Sequence, residues 1–466
     1  MKASRAAGRR LASGLVAPVL LLVVVALAGN GTPAAAADGP NCSAPYLIDV
    51  TFGGGARWEM CWEHRLNEGI VFYDLRFTSP GDISRPVLAQ ANLAQIHVPY
   101  DDNGARFHDL SDYGLGSNNL NDLTPAECPD GTLLQYNGKD VLCQTVEDRS
   151  YYYKFYSTQA QGSELVLFSV SHIGQYNYVP RWSFSDDGSI EAEIGATGRL
   201  QRYGSNANYG WPVRTGSNPY GISHMHNLYW RLDFDVGDKA NDLAEELEFL
   251  PTPDISRRTI VVTDFIIEAE RPVSPTTMRF WRVRDKVIVN TDGRAISYEI
   301  EPSSSASYRG PNYEPWTQND FYVTAYRACE KWASHNPTTG GCGADVTAFV
   351  NGENVDGVDV VVWYGVDFHH TPRDEDEPNM PIDWHGFHIL PRDWTAISPI
   401  VVSPTPAVTG SPTPTDTPVP VPTDTPVPLP TPCIRGDANC DGVVDAGDLG
   451  CVVMIIFNGP EACAVP

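Results

Sequence analysis

Three histidines and one tyrosine carry the residue types for metal and redox chemistry. His224-Met225-His226 sets two imidazoles two positions apart. In a strand, residues i and i+2 share a face, so both rings point one way, as do Leu228, Trp230, Leu232 and Phe234 beyond them. Two imidazoles on one face of a rigid strand are half of a site for copper, zinc, iron or nickel. A third is offered by Phe368-His369-His370-Thr371-Pro372, which follows the apolar run Val358–Trp363. Asp233 and Asp235 alternate onto the other face at the strand end, where paired carboxylates suit a hard cation such as calcium. Upstream, Tyr176 stands in His172-Ile173-Gly174-Gln175-Tyr176-Asn177-Tyr178, between two strand-like runs.

A rigid frame must hold these groups. From 43 to 399 the chain is rich in Tyr, Trp, Val and Ile, broken by Gly, Asn and Asp, with recurrent period-2 alternation. Arg181–Phe184 and Ser189–Ile194 flank Asp186-Asp187-Gly188, a hairpin signal. Long helical periods are scarce, and Asn241–Leu250 reads as a short helix or a loop. The expected fold class is mostly β, one large antiparallel domain.

The chain ends read differently. Lys2, Arg5, Arg9 and Arg10 precede the apolar run Leu15–Ala28 and the small residues Ala34–Ala37. This pattern predicts a secretory signal peptide over 1–37 and an exported protein, extracellular or at a cell surface, with no membrane span. Ten cysteines then read as disulfides. A net charge of −26 argues against nucleic acid as a partner. Residues 400–432 are a Pro/Thr-rich spacer in which Pro-Thr-Asp-Thr-Pro-Val-Pro occurs twice. In the tail, 433–466, Asp437, Asn439, Asp441 and Asp448 fall at calcium-loop positions, with Gly442 at the turn and the Val443 carbonyl as a further ligand. That loop resembles one repeat of a dockerin, which implies calcium and a cohesin-like or surface partner.

Four longer runs carry a second resemblance: VPYDDNGARFHDLSDYGLGSNNLNDLTPAEC, SDDGSIEAEIGATG, HMHNLYWRLDFDV and DVVVWYGVDFHHTPRDEDEPNMPIDW. Together, and in order from about Arg57 to Pro399, they resemble the catalytic domain of the copper amine oxidases. The resemblance implies a large antiparallel β-sandwich, usually dimeric. It implies that His224, His226 and His370 bind Cu(II), His370 being preferred to His369, and that Tyr176 is the precursor of a topaquinone cofactor. Asp109 falls at the catalytic base, and Tyr100 at the tyrosine that holds a quinone oxygen. Phe107 or His108 falls near the gate residue. Asp233, Asp235 and Asp359, with the backbone oxygens of Phe234 and Val360, match a structural calcium site. Cys128 and Cys143 match an intradomain disulfide. The implied reaction takes a primary amine and O₂ to aldehyde, ammonia and hydrogen peroxide. In this chain Gln175 and Asn177 flank the tyrosine where the family has Asn and an acid. They motivate an alternative, a relative without turnover that acts as a metal-binding or surface-attached protein.

Overall fold

The computed structural model describes residues 39–400, apart from 255–256, 303–308 and 311–312. Among the described residues the chain forms two large antiparallel sheets, of nine and eleven strands, and a small three-stranded one. The nine-stranded sheet carries the strand His224–Phe234 near its middle, between Arg85–Pro99 and Val360–His370. The eleven-stranded sheet carries Tyr176–Ser185 beside Ile190–Gly198, and Met380–Arg392 next to that. The hairpin read from Asp186-Asp187-Gly188 is this Tyr176–Ser185/Ile190–Gly198 pair.

Aromatic side chains from the two sheets meet between them, tilted, edge-on or stacked. Trp58 packs on Phe184 at 5.2 Å between ring centroids, Trp230 on Phe387 at 5.1 Å, and Trp281 on Phe321 at 4.6 Å. Such large rings supply most of the apolar area that holds a sandwich together.

The strand His224–Phe234 is buried along its whole length. Leu228, Trp230, Leu232 and Phe234 join the main core between the sheets. Tyr229, on the other face, joins a second cluster with Trp316, Tyr322, Phe349 and Trp363. Because both faces are covered, the histidines at its start are buried as well.

Two expectations are corrected. The short helix or loop expected at Asn241–Leu250 is the strand Asp242–Pro251. Its Leu243/Leu247/Leu250 spacing reads as helical, but strands on both sides take its backbone. Glu245 is held by Arg282 and Arg284 of the neighbouring strand, so tertiary pairing overrides local preference. The strand expected at Val358–Trp363 runs instead over Val360–His370 and so contains His370.

The expected disulfide Cys128–Cys143 is formed, as are Cys42–Cys61 and Cys329–Cys342. The spacer, the tail calcium residues Asp437, Asn439, Asp441, Val443 and Asp448, and the segment 1–37 lie outside the described residues. Among those described, no helix is long and apolar enough to cross a membrane.

Trp230 is almost fully buried where the two sheets meet. Trp230→Ala should therefore destabilise the domain by about 3–5 kcal/mol, read as a lower midpoint in denaturant titration.

Candidate active site and metal centre

Strand alternation turns His224 and His226 into the space between the sheets, with ring centroids 4.9 Å apart. Antiparallel pairing sets His224 directly opposite His370, with centroids 5.0 Å apart. One ring nitrogen from each of the three lies within 4.8 Å of the others. His369 alternates outward and bonds Asp101 at 2.7 Å, so the ring that joins His224 and His226 is that of His370.

The tautomers follow from the partners. His224 donates Nδ1–H to the Ile222 carbonyl at 3.1 Å, which leaves Nε2 as a lone pair. His370 donates Nε2–H to Asp376 at 3.1 Å, which leaves Nδ1. These orienting bonds are of the kind that metal-binding histidines make. Burial, followed by the neighbouring imidazoles, lowers His224 to about 3 and His226 well below the usual range; burial also lowers His370. All three are therefore neutral donors near neutral pH. Both nitrogens of His226 are buried without a hydrogen-bond partner. An orphaned imidazole beside two aimed lone pairs fits a copper ion, which is commonly ligated by imidazole.

Tyr176 opens its strand just after the turn at Gly174. Its hydroxyl lies 2.7 Å from His224 Nε2 and 3.3 Å from His370 Nδ1, where the two lone pairs converge. Gly198 pairs with it across the strands; a Cβ there would lie 2.3 Å from the Gln175 carbonyl, so only glycine lets the two chains approach. Burial, with added repulsion from Tyr100 and Asp376, holds the Tyr176 hydroxyl protonated. Gln175 itself is exposed, and Asn177 bonds His172.

Tyr176 separates two cavities. One, of about 250 Å³, is lined by Phe368, His370, Asp376 and Met380. The other, of about 100 Å³, is lined by Tyr100, Phe107, Asp109 and Tyr178. Asp109 is the first residue of the short helix Asp109–Tyr113 and is buried. Burial raises its carboxyl to about 7, against the hydrogen bond from Tyr178, while Asp112 adds to the rise. Asp102 is tied to Arg202 and Asp112 faces His335, so neither competes for the cavity. Tyr100 stacks on His224 at 4.5 Å and makes no hydrogen bond to Tyr176 in this arrangement. Of the two gate candidates, Phe107 lines the cavity, while His108 turns toward His97 and Glu314.

Two positioning residues escaped the sequence reading. Tyr178 donates to Asp109 at 2.8 Å. It shares a strand face with Tyr176, so the Tyr-x-Tyr alternation was an available signal. Asp376, buried, orients His370. It sits in an acidic run that by itself looks like solvated surface.

The acidic set Asp233, Asp235 and Asp359 meets where Phe234 pairs with Val360. Each has a buried oxygen without a hydrogen-bond partner, as does Asp242. Their donor atoms do not close to the spacing of the histidine triad. Asp233 is also paired with Arg231 at 3.0 Å.

The family model for the copper amine oxidase enzyme domain matches residues 56–409. The chain belongs to the copper amine oxidase family. It is 26% identical over 421 residues to the primary amine oxidase of Arthrobacter sp. (strain P1), covering 79% of this chain and 63% of that protein. To primary amine oxidase 2 of Arabidopsis thaliana it is 24% identical, covering 80% and 62%. The copper-containing benzylamine oxidase from Hansenula polymorpha shares the fold at a TM-score of 0.64 and 21% identity, over 79% of this chain and 64% of that one. The chain thus spans roughly six-tenths of the length of these relatives.

The Asp109 carboxyl should titrate near 7 in difference infrared spectra. Tyr178→Phe removes a bond that favours the charged form, so its titration should move upward by on the order of one pH unit. An unchanged or lowered midpoint would show that Tyr178 does not stabilise the carboxylate.

Proposed function

We propose that this chain oxidises primary amines with O₂, giving aldehyde, ammonia and hydrogen peroxide, with Cu(II) held by His224, His226 and His370 and a topaquinone derived from Tyr176. One observation carries the reading. The Tyr176 hydroxyl meets the lone pairs of two histidines, and the same residue lines a cavity shared with a buried, proton-holding carboxylate. In this family's chemistry the copper ion and O₂ convert the tyrosine to a quinone, which then accepts electrons from the amine.

This chain's own residues do the rest. Asp376 and the Ile222 carbonyl fix which nitrogens of His370 and His224 face the ion. Asp109, raised to about 7, suits removal of the substrate's α-proton, because a general base works best near the ambient pH. Tyr178 aims that carboxylate. Tyr100 covers His224, and its burial keeps water from the ring face. Phe107 stands at the cavity edge as the gate. Gln175 is exposed and Asn177 bonds His172, so neither flanking side chain hydrogen-bonds the Tyr176 hydroxyl. Export is supported by the three disulfides, which persist in oxidising compartments. A homodimer follows from the family reading. The tail keeps its proposed calcium loop and attachment role.

Copper-loaded, aerated protein should develop a broad visible band that reacts with phenylhydrazine, and Tyr176→Phe should abolish it. Copper binding without colour or hydrazine reactivity would favour the relative without turnover. Asp109→Asn should leave the band in place and slow amine oxidation by about 10²–10⁴-fold.

Calcium at Asp233, Asp235 and Asp359 should depend on pH. Burial, then mutual repulsion, raises Asp235 to about 8 and Asp359 to about 6. With folded values above the unfolded ones, proton-linked stability is present at low pH and lost as pH rises through them. Calcium competes with those protons, so it should raise Tm more at about pH 8 than at about pH 5. Equal gains at both would argue against this set as ligands.

A further inference from the structure

Beside the helix that begins at Asp109, three other donors converge. His97, on the strand Arg85–Pro99, pairs with His108 on the short strand Arg106–His108. Glu314 precedes the 3-10 turn Pro315–Gln318. One donor atom from each of the three lies within 4.8 Å of the others, and all three residues are buried. His97 also pairs with Asn227, and Asn227 alternates away from His226. The cluster therefore lies on the opposite face of the nine-stranded sheet from the copper ligands.

The hydrogen on His97 can be placed from its neighbours. Asn227 Nδ2 sits 3.0 Å from the Arg309 carbonyl, which can only accept, so Asn227 Oδ1 is itself the acceptor toward His97. The 2.8 Å contact is then an Nδ1–H donation from His97. Its Nε2 has no hydrogen-bond partner and lies 4.0 Å from Glu314 Oε1. His108 Nε2 faces the same oxygen at 3.3 Å, a long and poorly aligned approach. A second proton on His97 answers this poorly. At 4.0 Å it would make no hydrogen bond, and it would sit beside Arg106, which already holds Glu314 Oε1 at 2.9 Å. The buried His97 lone pair and a second imidazole nitrogen converge on one carboxylate oxygen, a donor set suited to a cation.

We propose that His97 Nε2, His108 Nε2 and Glu314 Oε1 form a second metal site, for a divalent ion of the zinc class. Tetrahedral zinc with bonds of about 2.0–2.2 Å holds its donors about 3.4 Å apart. The His108–Glu314 pair is already at 3.3 Å, and the His97–Glu314 pair at 4.0 Å needs a small closure. The Asn227 bond supplies the second contact that orients a metal-binding histidine. Arg106 is half-exposed, so it can keep one carboxylate lone pair or turn to solvent. His108 immediately precedes Asp109, so an ion here anchors the backbone that carries the proposed base.

The test uses the full chain with His226→Ala, which removes a copper ligand. The protein is equilibrated with Zn²⁺ in excess Ca²⁺, which fills oxygen-ligand sites, and then dialysed. We expect about one retained zinc per chain, with two imidazoles in its X-ray absorption spectrum. Adding Glu314→Gln should weaken retention roughly tenfold or more, and adding His97→Gln instead should do the same. Circular dichroism and thermal melts establish which variants are folded, and either folded one decides the matter. No zinc on the folded His226→Ala protein, or retention unchanged by both additions, overturns the proposal.

Discussion

The antiparallel register between His224–Phe234 and Val360–His370 is the constraint on which the site depends. It sets His224 against His370 although the two are far apart in the chain. A slip of one residue would turn His370 to the outer face and bring in His369. Two sets of contacts resist that slip. On the inner face Leu228, Trp230, Leu232 and Phe234 are locked into the main core. On the outer face Tyr229 donates its hydroxyl to the carbonyls of Trp316 and Asn319, and Trp363 packs on Phe349. Neither face can move to the other without burying polar groups or exposing aromatic rings.

The burial that fixes the register also sets the protonation states. Removing charge from water disfavours the ionised form of every group. Three histidines are held neutral, Tyr176 is held as the phenol, and Asp109 is raised to about 7. Those are the states in which imidazoles can take a metal and a carboxyl can exchange a proton near neutral pH. Two hydrogen bonds adjust this common effect locally: Tyr178 favours the Asp109 carboxylate, and Asp376 orients His370. One physical cause, modulated by two partners, thus gives the imidazoles, the phenol and the carboxyl their separate characters.

Much of this was legible in the chain because it depends on local period. Alternation put His224 and His226 on one face, the Asp-Gly turn announced the hairpin beside Tyr176, and nearby cysteines found one another. Long similar runs supplied the family. What local period could not supply was neighbours. The choice of Asp109 over Asp102 and Asp112, the bond from Tyr178, the service of Asp376 and the strand at Asp242–Pro251 all depend on elements distant in sequence. A chain fixes which way each side chain leaves its own strand. Only sheet pairing and burial decide what that side chain meets, and so which carboxylates stay charged and which lone pairs converge.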